Sequence, residues 1–267
     1  MHNKRRISTL ILVLGFCLVP SWLSAASVSN LEREKNWADQ VVDFMVVGEA
    51  VWLEANKIKF LSLYTKPADA HGASTTGVIL MHGRGVHPAW GLIDTLRVDL
   101  ADAGWHTLSL QMPILDPDVK LKEYSKTFPE AFQRIDAGIH YLQQQGVTRI
   151  FLLGHSTGAM ISVAYPAEHP TSPIAGAIAI GLSTEPAGNK YMQPAAMLKK
   201  IRIPVLDIFG TEDISNVLDH AEARRAAARD NKFYRQVRAK DANHFFTDRY
   251  DTLKTRIIDW LKQTQSR

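Results

Sequence analysis

The 267-residue chain is 46% hydrophobic, 22% charged and 9% aromatic, with 16 Gly and 12 Pro, a globular composition that excludes collagen-like and disordered chains. Its formal net charge of +4 is concentrated at the start, where Lys4, Arg5 and Arg6 lie together. The rest is nearly neutral, and with no Lys/Arg stripe interleaved with aromatics it gives nucleic-acid binding no support.

Those three basic residues precede an unbroken apolar run from Leu10 to Val19, then Pro20 and the small residues Ser24, Ala25 and Ala26. The order of charge, short apolar core and small residues is that of a secretory signal peptide cut after Ala26. The apolar run is well short of the roughly 20 residues a helix needs to cross a bilayer. Arg5-Arg6 is followed by Ile7-Ser8-Thr9, which lacks the apolar residue expected after a twin-arginine pair, so general export is the expected route. The mature protein is then periplasmic or secreted, with no stable membrane insertion. Cys17, the single cysteine, leaves with the signal, so the mature chain has no disulfide, no thiolate metal site and no thiol nucleophile.

Residues 27–267 are expected to form one domain, with 27–76 as an N-terminal extension and hairpin and 77–267 as the core. Leu31 to Val47 mixes charged and apolar residues. Val51-Trp52 and the alternating run Ile58 to Tyr64 predict an antiparallel hairpin turning around Glu54-Ala55-Asn56. From Gly77 onward, short apolar runs alternate with helical patterns. The strands expected are Val78 to Met81, His106 to Gln111, Arg149 to Leu153, Ile174 to Ile180, Val205 to Phe209 and Phe233 to Val237. Apolar residues recur at helical spacing in Leu92 to Ala103, Phe128 to Gln145, Ala159 to Ala167, Ser215 to Ala228 and Thr247 to Gln263. This alternation predicts an α/β fold, a mostly parallel sheet with helices on both faces and a leading antiparallel hairpin.

The strongest chemical signal is Gly154-His155-Ser156-Thr157-Gly158, a G-x-S-x-G between a buried strand and a helix. A serine there stands on a sharp strand-to-helix turn with its hydroxyl clear of the sheet, and the glycines let the backbone bend without a Cβ clash. Ser156 is therefore the candidate nucleophile. A serine hydroxyl needs a base to remove its proton, and His244, in a loop between the last strand and the last helix, is the best placed of the histidines. The base needs a carboxylate to hold its tautomer. Asp213, just beyond the strand Val205 to Phe209, is the first choice, with Asp207 and Glu212 as alternatives.

The segments strand-HGRG, strand-GHSTG, strand-GTED and the late ANHFF loop resemble the α/β-hydrolase superfamily across Gly77 to Leu261. More closely, His82-Gly83-Arg84-Gly85-Val86-His87-Pro88 with Gly104-Trp105-His106-Thr107-Leu108-Ser109-Leu110-Gln111-Met112-Pro113 resembles an uncharacterised family of exported bacterial proteins of that fold. The resemblance implies the chain order Ser156, Asp213, His244, and an oxyanion hole made by the backbone amides of Thr157 and Arg84. His82 is expected to be a structural histidine bonding the loop backbone.

The reading at this level is an exported serine hydrolase, carboxylesterase-like, that cleaves small to medium acyl esters through an acyl-enzyme. It requires no cofactor and no metal, and its partner is a small-molecule or envelope-derived acyl substrate. An amidase or peptidase, an acyltransferase and a non-catalytic envelope binding protein are the alternatives. Only a short cap fits between Ile180 and Val205. Trp90, Met112, Leu115, Tyr191 and Phe245 are candidates to line an acyl pocket, and the Arg84 side chain either receives an anionic substrate group or is an ordinary surface arginine.

Overall fold

The computed structural model describes residues 27–68 and 74–265. The expected signal peptide, residues 1–26, lies outside them. In chain order the elements are α1 (Leu31–Phe44), β1 (Glu49–Ala55), β2 (Ile58–Thr65), β3 (Thr76–Met81), α2 (Gly91–Asp102), β4 (His106–Leu110), α3 (Phe128–Gln144), β5 (Arg149–His155), α4 (Thr157–Glu168), β6 (Ile174–Ile180), α5 (Pro194–Leu198), β7 (Val205–Glu212), α6 (Ser215–Leu218), α7 (Ala221–Ala227), β8 (Tyr234–Asn243) and α8 (Tyr250–Gln265).

The strands form one eight-stranded sheet in the order β1-β2-β4-β3-β5-β6-β7-β8. The β1–β2 and β2–β4 pairs are antiparallel and all others parallel. The expected hairpin is present, with its two-residue turn at Asn56-Lys57, both at positive φ (49° and 68°). That is the type I′ geometry whose twist matches the flanking strands.

Side-chain alternation along the strands divides the core. Val78 and Leu80 of β3 join Phe151, Leu153, Ile178 and Ile180 under α2 and α8. Ile79 and Met81 join Leu108, Leu110 and Leu152 under α3 and α4. Burial of both faces explains why these strands read as continuous apolar runs. Among the described residues no helix is long and apolar enough to cross a membrane.

The structure corrects one helix and one strand and adds a helix at the start. Ser215 to Ala228 is two short helices, α6 and α7, broken at Asp219-His220. The buried Arg224 of α7 explains the arrangement, because its guanidinium must reach Asp207 in the middle of β7 (2.8 Å). The last strand is twice the expected length, running to Asn243; its exposed polar outer half hides it from a search for apolar runs. The segment 31–44 forms α1, capped by Asn30, whose side chain accepts from the Arg33 amide (2.9 Å), with Glu32 and Glu34 in the first turn, where acids complement the helix dipole.

The helix α1 packs Ala38 and Val41 on Leu61 and Leu63 of β2. Its start is pinned by charge. Glu34 and Glu130 both pair with Arg134 of α3 (2.9 and 2.6 Å), and all three are buried. Ser27 and Ser29 also donate to Glu130 (3.1 and 2.8 Å). Arg33 reaches from the same helix to the carbonyls of Leu115 (2.6 Å) and Gly85 (3.2 Å), which ties α1 to the loop after β3.

Candidate active site

The turn from β5 into α4 carries Ser156 at φ 57° and ψ −115°. A non-glycine residue held there costs about 1–3 kcal/mol and persists only when its surroundings enforce it. The flanking glycines do so by close approach. A Cβ on Gly154 would lie 2.0 Å from the carbonyl oxygen of Gly158, and one on Gly158 would lie 2.2 Å from that of Met81. The Ser156 amide donates to the Ile180 carbonyl (2.9 Å), which anchors the turn to the end of β6.

Asp213 follows the end of β7 and is buried, and its Oδ1 lies 2.6 Å from Nδ1 of His244. The same oxygen accepts from the Ile214 amide (2.8 Å). With a carboxylate on Nδ1, the imidazole carries its proton there and leaves Nε2 as the free base. Asp207 plays no part in this. It is fully buried in mid-strand and accepts from Arg224, from the Tyr234 hydroxyl (2.7 Å) and from Gln236 (3.0 Å). Glu212, at the end of β7, is exposed.

Two residues that frame His244 escape a search by motif. Gly181, at φ 59°, follows the carbonyl that holds Ser156, and a Cβ there would stand 2.8 Å from Cε1 of His244 and 2.9 Å from its Nδ1. The imidazole therefore occupies the space a side chain would need. His155 donates from Nε2 to the His244 carbonyl (2.9 Å), with the two rings 4.8 Å apart. Burial pushes the His155 pKa down to about 4, so it serves as a neutral strut. The variable position before the serine was the available signal for His155. For Gly181 it was a glycine directly after an apolar strand.

Ser156 and His244 thus flank one peptide, Ile180–Gly181. Among the described residues no hydrogen bond joins the Ser156 hydroxyl to the His244 ring; uncomplexed sites commonly hold this contact loosely. Thr157 is the first residue of α4, where an amide has no intrahelical acceptor. The loop after β3 brings Gly83 against the serine, a Cβ at Gly83 lying 3.4 Å from that of Ser156. His82, as expected, is structural. Its Nδ1 donates to the Gly83 carbonyl (2.8 Å) and its Nε2 accepts from the Met112 amide (2.9 Å). Burial pushes its pKa down to about 3, which keeps it neutral, and the two partners fix the tautomer. Because the peptide is planar and trans, holding the Gly83 carbonyl points the Arg84 N–H the opposite way, and among the described residues that N–H has no protein acceptor.

The Arg84 side chain is exposed and reaches the Val119 carbonyl (3.4 Å). The acyl-pocket expectation fails for Met112, which is core, and for Tyr191, which stacks on Phe128 (5.5 Å). Leu115 is partly buried against the core, and Trp90 is exposed beside His87. Phe245 alone stays at the rim, 5.3 Å from the His244 ring. Among the described residues no group of three His, Cys, Asp or Glu is placed to hold a metal ion.

The fold has many solved counterparts. Est1E from Butyrivibrio proteoclasticus superposes with a TM-score of 0.65 at 17% identity, covering 82% of this chain and 99% of its own. A dienelactone hydrolase from Anabaena variabilis gives 0.62 at 19% identity, over 81% and 97%. The Pyrococcus furiosus esterase Pf2001 gives 0.64 at 15%, over 90% and 98%. These likenesses establish the α/β-hydrolase fold expected from the motifs. Comparison with curated proteins returns no match. A model of one family, described as a protein of unknown function, DUF3530, matches residues 26–131 and 117–263. Spanning most of the chain, that match means that this protein, with the fold of the α/β hydrolases, belongs to the DUF3530 family.

Proposed function

We propose that this protein is an exported serine hydrolase that cleaves carboxylic esters of small to medium acyl groups. The observation that carries the proposal is the 2.6 Å contact between Asp213 and His244, set beside a serine held at φ 57°. A scaffold has no physical need for an oriented base next to a strained hydroxyl.

In the reaction, Ser156 Oγ attacks the ester carbonyl as its proton passes to Nε2 of His244, and Asp213 stabilises the imidazolium. The carbonyl oxygen becomes an oxyanion facing the amides of Thr157 and Arg84. Collapse breaks the acyl–oxygen bond, and the departing alcohol takes the proton from Nε2. Water, deprotonated by the same nitrogen, then attacks the acyl-enzyme, and collapse breaks the acyl–Oγ bond as Nε2 returns that proton to Oγ, releasing the acid and free Ser156. The ester class is chosen by analogy with the esterases that share the fold. Export follows from the leader-like residues 1–26.

The test is labelling by a fluorophosphonate probe with mass mapping of the adduct. Labelling at Ser156, absent in Ser156→Ala and strongly slowed in His244→Ala, is expected. Well-folded protein that does not label would overturn the reading in favour of a binding role. Ester, amide and acceptor-alcohol substrates then separate esterase from amidase and acyltransferase, and the N-terminal sequence of protein recovered from the periplasm checks cleavage after Ala26.

A further inference from the structure

The loop after β3 lies between two bodies. On one side is the serine turn, where a Cβ on Gly158 would stand 2.7 Å from the His82 carbonyl oxygen and one on Gly83 would stand 3.4 Å from that of Ser156. On the other side is α1, a helix that contributes none of the reacting groups. It meets the loop at three successive points. Arg33 donates to the Gly85 carbonyl (3.2 Å), the Trp37 ring meets that of His87 (5.4 Å between centroids), and Ala89 packs against the cluster that holds Ala38 and Val41.

The Arg33 guanidinium spans two loops that leave the carboxyl ends of adjacent parallel strands. Nη2 donates to Gly85 after β3, and Nη1 donates to the Leu115 carbonyl after β4 (2.6 Å). In an open α/β sheet that edge is where ligands bind. The planar fork suits two acceptors at once, whereas a lysine ammonium on its flexible stem fixes no such pair of directions. Trp37 lies against the guanidinium, with the ring centroid 4.4 Å from its carbon. Among the described residues two carbonyls and a ring meet this cation and no carboxylate does, so its grip is on backbone.

That grip bears on the oxyanion donor. His82 holds the Gly83 carbonyl and Arg33 holds the Gly85 carbonyl. Because each peptide is planar, only φ and ψ of Arg84 and of Gly85 lie between the two held groups, and Gly85 stands at φ 70°. The stretch is therefore pinned from both ends. With Arg33 gone, the glycine joint, the most permissive kind, lets the far side of the loop swing, and His82 alone is left to aim the Arg84 N–H.

We propose that Arg33 is a positioning residue for the hydrolytic reaction: its fork fixes the far side of the loop that presents the Arg84 N–H and sets that loop against the segment after β4. The effect on rate rests on the serine-hydrolase reading; the hold on the loop does not.

The test compares native protein with Arg33→Met, which keeps an apolar stem and removes the fork. Fluorophosphonate labelling of Ser156, whose phosphoryl oxygen uses the oxyanion donors, should slow about tenfold, short of the loss of a whole donor. A second reaction isolates the cause. In a Ser156→Cys background, alkylation by iodoacetamide uses the nucleophile and His244 but forms no oxyanion, and Arg33→Met should leave its rate within about twofold. Hydrogen exchange over residues 85–90, where the Trp90 amide donates to the His87 carbonyl (3.1 Å), should quicken about tenfold in Arg33→Met while exchange across α8 stays native. Arg33→Lys, able to hold one carbonyl and not both, should slow labelling about threefold, and it carries the test if the methionine variant folds poorly. Labelling of Arg33→Met within about twofold of native, or alkylation that falls as far as labelling, overturns the positioning role. Native protein that does not label defeats the hydrolase reading instead; exchange then decides whether Arg33 holds the loop, and unchanged exchange overturns that as well.

Discussion

Replacing His82 with Phe removes a donor and an acceptor while nearly preserving the buried shape. In the native protein Nδ1 holds the Gly83 carbonyl at 2.8 Å and Nε2 receives the Met112 amide at 2.9 Å. Both partners lose their bonds in the variant, and each orphaned buried group costs about 1–3 kcal/mol. The catalytic consequence is separate. With its carbonyl released, the Gly83–Arg84 peptide is free to rotate, and the Arg84 N–H no longer points dependably at the oxyanion. Loss of one such donor is worth about 3 kcal/mol of transition-state stabilisation, or about two orders of magnitude in rate. The assay is the second-order rate of fluorophosphonate labelling, or kcat on a cleaved ester, in protein whose folded fraction is fixed by urea titration. Because burial holds the His82 pKa near 3, the deficit should be constant from pH 6 to 9. A folded His82→Phe protein within about twofold of the native rate would refute the idea that this histidine orients the oxyanion peptide.

Gly181→Ala places a methyl 2.8 Å from the His244 ring at φ 59°; labelling should fall about a hundredfold as the base moves, and the downfield Nδ1 proton resonance expected from the short Asp213 contact should vanish. His155 and His82 titrate near 4 and 3 when folded, against an ordinary 6.5. The unfolded chain therefore binds more protons below pH 6.5, so stability is complete above that value and is lost as pH falls toward 4 and then 3. The slope should be about 1.4 kcal/mol per pH unit for each histidine. Urea titrations at pH 5 and 7 measure it, and His155→Gln should remove one histidine's share; an unaltered slope in that variant contradicts the assignment. At the hairpin, Lys57 sits at φ 68°, and Lys57→Gly should raise stability by about 1 kcal/mol, read as a higher melting temperature.

The sequence disclosed the framework wherever burial imposed a pattern. Strands such as Val78 to Met81 and Ile174 to Ile180, covered on both sides, could hardly be written without branched apolar residues. Ser156 was legible because its turn forbids a Cβ at Gly154 and Gly158, and a steric prohibition leaves a mark in one dimension. Distance from the strand end placed Asp213 ahead of Asp207, and Asp213 is the one that meets His244, but only Arg224, Tyr234 and Gln236 explain what the buried Asp207 does. What stayed hidden depends on contacts distant in sequence. Nothing near position 155 announces that its ring braces a loop 89 residues away. The charged run of α1 hides its apolar stripe because only a narrow face, Ala38 and Val41, is buried.

The clasp at the start of α1 has a consequence for the order of assembly. Ser27 and Ser29 bond to a glutamate 103 and 101 residues further along, so the first described residues of the chain cannot take their final places until α3 has been synthesised and packed. Contacts of such long range close late and slowly. The helix that reaches the loop after β3 through Arg33 is thus among the first parts made and among the last to be fully fastened, and a nascent chain that stalls before residue 134 holds the hairpin on which α1 packs but lacks the Arg134 clasp that fixes its first turn.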